Sequence, residues 1–430
     1  MKVVDGSYFE ASRNRLVRRL GEPPYEHGRG GGRRGRVKLL NDLSTRAVFM
    51  NDIIPEGVQK TLEERFGSRF VRHATEEAVA KGDDTVASVY PQSAEEVESL
   101  TRLAALHSIP LVARGAGTAL YPGKPPRGLT VRFDAMHQIR LPEGEDGKWV
   151  EVEPGVTWWT LEERLSERGM GPRVYPTSAP RSTVGGWLAE NGIGIGSYEY
   201  GWLLQNVLSV EVVLAGGQRS VIEGSEALRH FVGSRGSMGF IVRAWLATRR
   251  ASADVPVAAL FRDAEDLGKA VTDLDRGGAP LWHLGILNAA MARARRFEVG
   301  PVLFGAYPKA RATWLEPALQ GAVESHRGEI LPRKEAQRVW EQRFFPASHL
   351  GPTPRPGRAL VQGERLAQTL AEIESRFAGV AIQGSVSRWG EAALLAFDPA
   401  EGSTGVVDLS AVTDAELVQL AGRSWVPRRR

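Results

Sequence analysis

The 430-residue chain contains no cysteine. Disulfides, thiolate-held iron–sulfur clusters and cysteinyl-linked cofactors are excluded from it. Redox chemistry on these residues would need a bound organic cofactor, with any second electron centre on another molecule. Long apolar runs are missing too, and none approaches the roughly eighteen residues that a membrane span requires. The first residues are charged and hold no signal-peptide core, so a cytoplasmic protein without a transmembrane segment is the expectation. The eight histidines are scattered and show no metal-ligand spacing, so no metal site is expected. Lysine is scarce, since 46 of the 55 basic residues are arginine. That bias fits genome composition or a hot habitat and carries no functional statement. With 51 acidic residues the net charge is only +4, which is not the balance of a dedicated nucleic-acid binder, and no nucleic-acid partner is expected.

What is present is a chain with 42% hydrophobic residues, enough for two or three structural units. Residues 1–40 stand apart, with ten Lys or Arg against four Asp or Glu. Gly30, Gly32 and Gly35 fit a G-x-G-x-x-G pattern, yet no strand precedes them and no apolar helix follows closely. Residues 1–50 are expected to be a flexible basic arm or an over-extended start.

Regular α/β alternation starts near Val86. Val86–Tyr90 predicts a strand, and Ser93 with Glu96 a capping box. Val97, Leu100, Leu103 and Leu106 follow at helical spacing. Strands are predicted over 109–113, 149–153, 207–214 and 241–248, with a hairpin turn at 215–218 and its partner over 219–222. Trp158, Leu161 and Leu165 mark a further amphipathic helix. Beyond Arg250 the texture changes to helices over 264–274 and 366–377 and strands over 281–287, 380–382 and 393–397. Residues 51–250 and 251–430 are therefore expected to be separate units, the second smaller and ending in a solvated tail.

Three segments carry chemistry. In Arg114-Gly115-Ala116-Gly117-Thr118-Ala119 an apolar strand runs into glycines and a hydroxyl, so that backbone amides can approach an anion. It is not a Walker A loop, since Lys124 is followed by Pro125. The stretch from Pro176 to Ser197 has five glycines between Gly185 and Gly196. There Thr183 can cap a short helix whose N-terminus would favour a phosphate. Trp187, Leu188, Ile193 and Ile195 make a mere surface loop a poor account of that stretch. Gly233–Val242 is a third glycine turn feeding a strand. Three such loops at α/β junctions suggest one extended dinucleotide ligand.

Together these segments resemble the FAD-binding domain of the vanillyl-alcohol-oxidase/para-cresol-methylhydroxylase superfamily, nearest to the glycolate oxidase and D-lactate dehydrogenase flavoproteins. The resemblance spans about residues 86–248. An R-G-A-G-T stretch stands at Arg114–Thr118 and a Val-x-Pro-Gly-Val stretch at Val152–Val156. A P-S-S then T-I-G-G-N-x-A-x-N-A-G-G pattern is matched by Pro176–Ser178 and Thr183–Gly194, with Trp187 in place of Asn. Tyr200-Gly201 matches a Tyr-Gly dipeptide, and Gly233–Val242 matches a G-S-E-G-T-L-G-I-V turn with Arg235 in place of Glu. The resemblance implies an α+β fold, a two-subdomain FAD-binding unit of the PCMH type followed by a smaller α+β cap. The implied FAD-contacting positions are Arg114, Gly115, Ala116, Gly117, Thr118, Ala119, Pro154, Gly155, Pro176, Thr177, Ser182, Thr183, Gly185, Gly186, Ala189, Gly192, Ser197, Tyr200, Gly239 and Val242. No histidine lies in the Arg114–Ala119 loop, where some members attach the flavin, so non-covalent FAD is expected.

The late G-H-x-G-D-G-N and E-H-G-x-G motifs of the glycolate and lactate enzymes are missing, and the corresponding region reads Gln383–Gly390. Remaining candidates on the substrate side are Arg388 as a carboxylate clamp and His283 or Tyr200 as proton handlers. The blander readings are a solvated arginine on a strand and a histidine packed in the core. An oxidoreductase taking a small hydroxyacid-like molecule is the leading expectation, with an iron–sulfur or quinone-linked partner subunit as its electron outlet. A non-catalytic FAD-binding or electron-transfer subunit is the alternative, and a nucleic-acid-binding arm rests on residues 1–40 alone.

Overall fold

The first helix among the described residues forms where Val58, Leu62 and Phe66 recur along one face of an otherwise polar segment. In this computed structural model the described residues are 53–72, 85–118, 128–142, 147–251, 254–297, 300–344, 356–398 and 407–414. The expectations for the arm over 1–50 and for the C-terminal tail lie outside them. That helix, α1 (Glu56–Phe66), leads into β1 (Phe70–Arg72), β2 (Thr85–Val89), α2 (Ala94–Leu106), β3 (Leu111–Arg114) and β4 (Gly128–Arg132). The sheet order is β1-β2-β4-β3, with β2 and β3 both parallel to β4. Ser93 caps α2 by accepting the Glu96 N–H at 3.3 Å. The Glu96 carboxylate, however, reaches the Gln92 N–H at 2.7 Å and a bidentate Arg69, a variation on the expected box. Val97 and Leu100 are buried, while Leu106 is 78% exposed at the helix end and drops out of the expected stripe.

The second layer runs β5 (Ile139–Arg140), β6 (Trp149–Val152), α3 (Trp158–Ser166), β7 (Met170–Pro172), α4 (Val184–Glu190), α5 (Ser197–Tyr200), β8 (Val207–Val213), β9 (Arg219–Glu223), α6 (Ser225–Leu228) and β10 (Phe240–Arg250). Its sheet has the order β5-β6-β10-β8-β9, with β7 also on β10. The β8–β9 hairpin pairs Val213 with Arg219 around the expected turn. One face is covered by Trp158, Leu161, Leu165, Val184 and Leu188 from α3 and α4. On the other, arginine and glutamate alternate across the strands. Arg140 lies 3.2 Å from Glu151, Arg243 sits 3.3 Å from Glu151 and 3.7 Å from Glu211, and Arg219 sits 3.6 Å from Glu211 and 2.8 Å from Glu98 on α2.

The third layer contains β11 (Asp254–Leu260), α7 (Ala264–Arg276), β12 (His283–Leu287), α8 (Ala289–Ala294), β13 (Val302–Pro308), α9 (Ala312–Ser325), β14 (Glu329–Ile330), α10 (Arg333–Glu341), β15 (Gly357–Gln362), α11 (Leu366–Arg376), β16 (Ala381–Val386) and β17 (Glu391–Phe397). It is a wholly antiparallel seven-stranded sheet, β14-β11-β13-β12-β16-β17-β15, the largest of the three. Helices α7, α9 and α11 cover one face through Leu267, Val271, Leu315, Leu319, Leu370 and Ile373. The opposite face meets the second layer, where Ile193 and Trp202 pack on Leu360 and Ala393. No described helix is long and apolar enough to cross a membrane.

Candidate FAD site

The expected cofactor segments converge on α4. A Cβ on Gly115 would stand 2.6 Å from Thr183 Oγ1 and 3.4 Å from the Gly186 Cα, so the Arg114 loop lies against the start of that helix. A Cβ on Gly185 would stand 2.5 Å from Pro154, and one on Gly155 would strike the Phe133 carbonyl. Such close approaches need glycine and hold three separate loops in register. Gly233 and Arg235 donate their backbone N–H groups to Leu188 and Ala189 on the far end of α4. A Cβ on Gly239 would stand 2.6 Å from the Val213 carbonyl. Val242 is core of the first layer, so any ligand contact there falls to its backbone.

Thr183 caps α4 by accepting the Gly186 N–H at 3.2 Å. The helix N-terminus is nevertheless not an open anion site. Val184 donates to Val156 at 2.7 Å, Gly185 to Pro154 at 2.9 Å, and Trp187 to the Thr183 carbonyl at 3.1 Å. The first amides of the helix expected to receive a phosphate thus already have acceptors within the chain. Donors remain elsewhere. Among the described residues no acceptor meets the amides of Gly117, Thr118, Thr177 or the buried Gly192. Of these only Gly192 is buried, while Gly117 is exposed and Thr118 and Thr177 are half-buried, so the set leaves amides open to a ligand rich in acceptors. Ala116 is exposed and Thr118 half-buried beside it, Pro176 and Ser182 are buried, and Thr177, Gly186 and Ala189 are half-buried around the same helix. Ser197 is buried and accepts the Gly194 N–H at 2.9 Å. Ala119 lies outside the described residues. Trp187, standing where asparagine was expected, is buried edge-on against Trp158 at 5.3 Å.

On the substrate side the structure spreads the candidates out. Tyr200 ends α5 half-buried, with the Arg173 guanidinium 5.1 Å over its ring, and burial, then Glu199, raises its pKa. Arg388 is not on a strand. It is exposed in the β16–β17 turn, where its backbone N–H donates to Ser197 at 2.9 Å. His283 is fully buried between the rings of Phe304 (5.5 Å) and Trp340 (5.8 Å), and neither ring nitrogen has a partner. Burial, helped by Arg343, pushes its pKa down to about 3. No hydrogen bond or ion pair joins these three to one another. Among the described residues no group of His, Asp and Glu could hold a metal ion.

Three residues not named as candidate contacts from the sequence also shape the site. Glu190, buried at the end of α4, lies 3.8 Å from Arg235 and 3.4 Å from Arg358 of the third layer. Asn191 takes a φ of +52° and accepts the Leu204 N–H at 3.1 Å. Tyr175, just before Pro176, pairs its backbone with Ile195 and its phenol with Arg343.

The fold and these loops define an FAD-binding architecture. Residues 86–222 match the family of the FAD binding domain, and FAD is the cofactor of that domain. The chain is similar to glycolate oxidase subunit GlcD of Bacillus subtilis, 32% identical over 37% of this chain and 36% of that one. It is likewise similar to a D-lactate dehydrogenase of Archaeoglobus fulgidus, 29% identical over 45% of each chain. A probable mitochondrial D-lactate dehydrogenase of Danio rerio is 28% identical over 54% of this chain and 50% of its own. The chain thus spans about a third to a half of the curated relatives it matches. In fold it is similar to 4-ethylphenol oxidase from Gulosibacter chungangensis, with a TM-score of 0.63 at 18% identity, covering 83% of this chain and 84% of that one. An alkyldihydroxyacetonephosphate synthase gives 0.60 at 17% identity, covering 73% and 67%.

Proposed function

We propose that the chain is an FAD-dependent oxidoreductase that oxidises a hydroxyacid-like small molecule and delivers the electrons to a separate acceptor or partner subunit. The observation that carries this is the convergence of the Arg114–Thr118 loop, Pro154-Gly155 and Thr183–Gly186 on one helix, whose far end reaches Arg358 of the third layer through Glu190. The amides of Gly117, Thr118, Thr177 and Gly192 would hold the cofactor's acceptor groups, and the glycines let the backbone approach it. FAD, when bound, supplies a two-electron acceptor for a substrate C–H bond. The named relatives include glycolate and D-lactate enzymes, which supports a hydroxyacid as the substrate class. GlcD is named as a subunit, which supports an assembly as the electron outlet. Residues 51–250 form the FAD-binding unit in this reading and 251–430 the cap.

The purified chain should show a flavin spectrum, and heat denaturation should release all the colour, because no histidine stands in the loop. Anaerobic mixing with small 2-hydroxyacids should then bleach the flavin. Colour that stays on the denatured protein would overturn non-covalent attachment.

A second reading is favoured by the fate of the catalytic candidates. With His283 sealed in the core and Arg388 exposed in a turn, the chain would serve as a non-catalytic FAD-binding or electron-transfer subunit. Dithionite would then reduce the flavin while every hydroxyacid left it oxidised.

A further inference from the structure

Arg343 follows α10 in the third layer and reaches across to the cofactor-binding unit. Its Nε and Nη2 both donate to the Tyr175 hydroxyl, each at 3.2 Å. The guanidinium is held between the rings of Trp340 (4.4 Å) and Phe344 (4.1 Å), and Nη1 donates to the Trp340 carbonyl at 3.1 Å. The nearest carboxylate, Glu162, stands 3.8 Å away, and burial raises its pKa. A buried arginine that directs two donors at a neutral phenol gains little net stability from the charge. What it gains is geometry, since a planar fork locked between two rings has one orientation.

That orientation is enforced from behind. Gln383 on β16 donates to the Arg343 carbonyl at 2.8 Å and accepts from Arg295 at 2.6 Å. Arg295, 1% exposed, also donates to the carbonyls of Gln342 and Phe344. The three carbonyls leaving α10 are thus held by Arg295, which follows α8, and by Gln383 of the sheet. Tyr175 at the other end is 1% exposed and tied by its backbone to Ile195 in both directions, at 3.0 and 2.8 Å. It is the residue before Pro176-Thr177, with Thr177 offering one of the unpaired amides.

We propose that Arg343 and Tyr175 form a positioning pair, through which the cap fixes the Tyr175–Thr177 segment and so sets the affinity for FAD. The inference rests on FAD as the cofactor and goes beyond it by assigning the cap a part in cofactor binding.

The test uses the full chain stripped of flavin and titrated with FAD, reading flavin fluorescence, alongside the thermal midpoint of each apoprotein. Tyr175→Phe removes one oxygen and keeps the ring. It should weaken FAD binding about tenfold with a small change in the apoprotein midpoint. Arg343→Gln should weaken it at least as much, and Arg343→Lys should recover part of the loss. The double variant should be no weaker than the worse single one, because both act through one contact. Tyr175→Phe binding FAD within twofold of the parent would overturn the pairing, as would losses that simply multiply in the double variant. A parent chain that takes up no FAD would instead overturn the cofactor assignment, and the pairing with it.

Discussion

Replacing His283 by leucine gives a direct measure of how the cap is built. The imidazole is fully buried and both its nitrogens lack partners. Its pKa is pushed down to about 3 from 6.5, first by burial and then by Arg343. The sign follows from proton counting. Between pH 6.5 and about 3 the unfolded chain binds a proton that the folded chain refuses, so stability falls as pH falls. Each pH unit in that window costs about 1.4 kcal/mol, or about 2 kcal/mol at pH 5 relative to neutral pH. Glu162, Glu190 and Glu391 act in the opposite direction, because burial raises each of them and the folded state takes up their protons first. Their effects are common to both proteins and cancel in the difference. Urea unfolding of parent and His283→Leu at pH 7 and pH 5 should therefore show the variant gaining about 2 kcal/mol on the parent as the pH drops. At pH 7 the variant should be no less stable, since it removes two unsatisfied polar atoms. A difference that stays constant between the two pH values would refute the buried, neutral histidine.

Gly115→Ala places a Cβ 2.6 Å from Thr183 Oγ1, and overpacking of about 1–3 kcal/mol at the α4 cap should weaken FAD binding about tenfold or more in a fluorescence titration. Gly321→Ala is the contrasting case. That glycine lies inside α9 with nothing within 4 Å, so the change should raise stability by about 0.5–1 kcal/mol in urea unfolding. Arg243 stands between Glu151 and Glu211, so Arg243→Met should lower the thermal midpoint in dilute buffer, and about 1 M salt should remove most of the difference. An equal loss at both salt levels would mean that the side chain acts by packing.

Much of the cofactor-binding unit is legible because its signals are local. Glycine at Gly115, Gly155 and Gly185 is demanded by backbone approach, and Thr183 caps a helix for reasons written within three residues. The hairpin of β8 and β9 follows from its turn. The substrate side is read less well because its geometry is non-local. The sequence shows Arg388 between two strand-like stretches, and nothing nearby says that the chain turns there rather than two residues on. His283 lies between Trp282 and Leu284, which suggests core, but its lack of any partner depends on Phe304 and Trp340 from distant segments. Tyr175 and Arg343 are 168 residues apart and share no local pattern. The helix that was expected to receive a phosphate does exist, yet its amides are taken by Pro154 and Val156, whose position only the folded sheet reveals.

The face of the seven-stranded sheet that meets the FAD-binding unit decides which chemistry is open to the chain. Its polar side chains are mostly partnered, Arg358 across to the FAD-binding unit and the others within the third layer. Arg358 is directed at Glu190, Gln383 sits between Arg295 and the Arg343 carbonyl, and Ser387 is bonded to Glu391. A base must come within about 2.6–3.2 Å of the atom whose proton it takes. His283 has uncommitted nitrogens, but it is fully buried against Phe304 and Trp340, the latter also packing on Arg343. Opening His283 to a substrate therefore means loosening the grip on Tyr175. If the cluster stays closed, a group other than His283 must take any substrate proton. Anaerobic flavin bleaching by a hydroxyacid, present in the parent and lost in His283→Leu, would show that the cluster opens and that His283 takes the proton. Bleaching of equal rate in both proteins would show that His283 is core and that the proton leaves by another group.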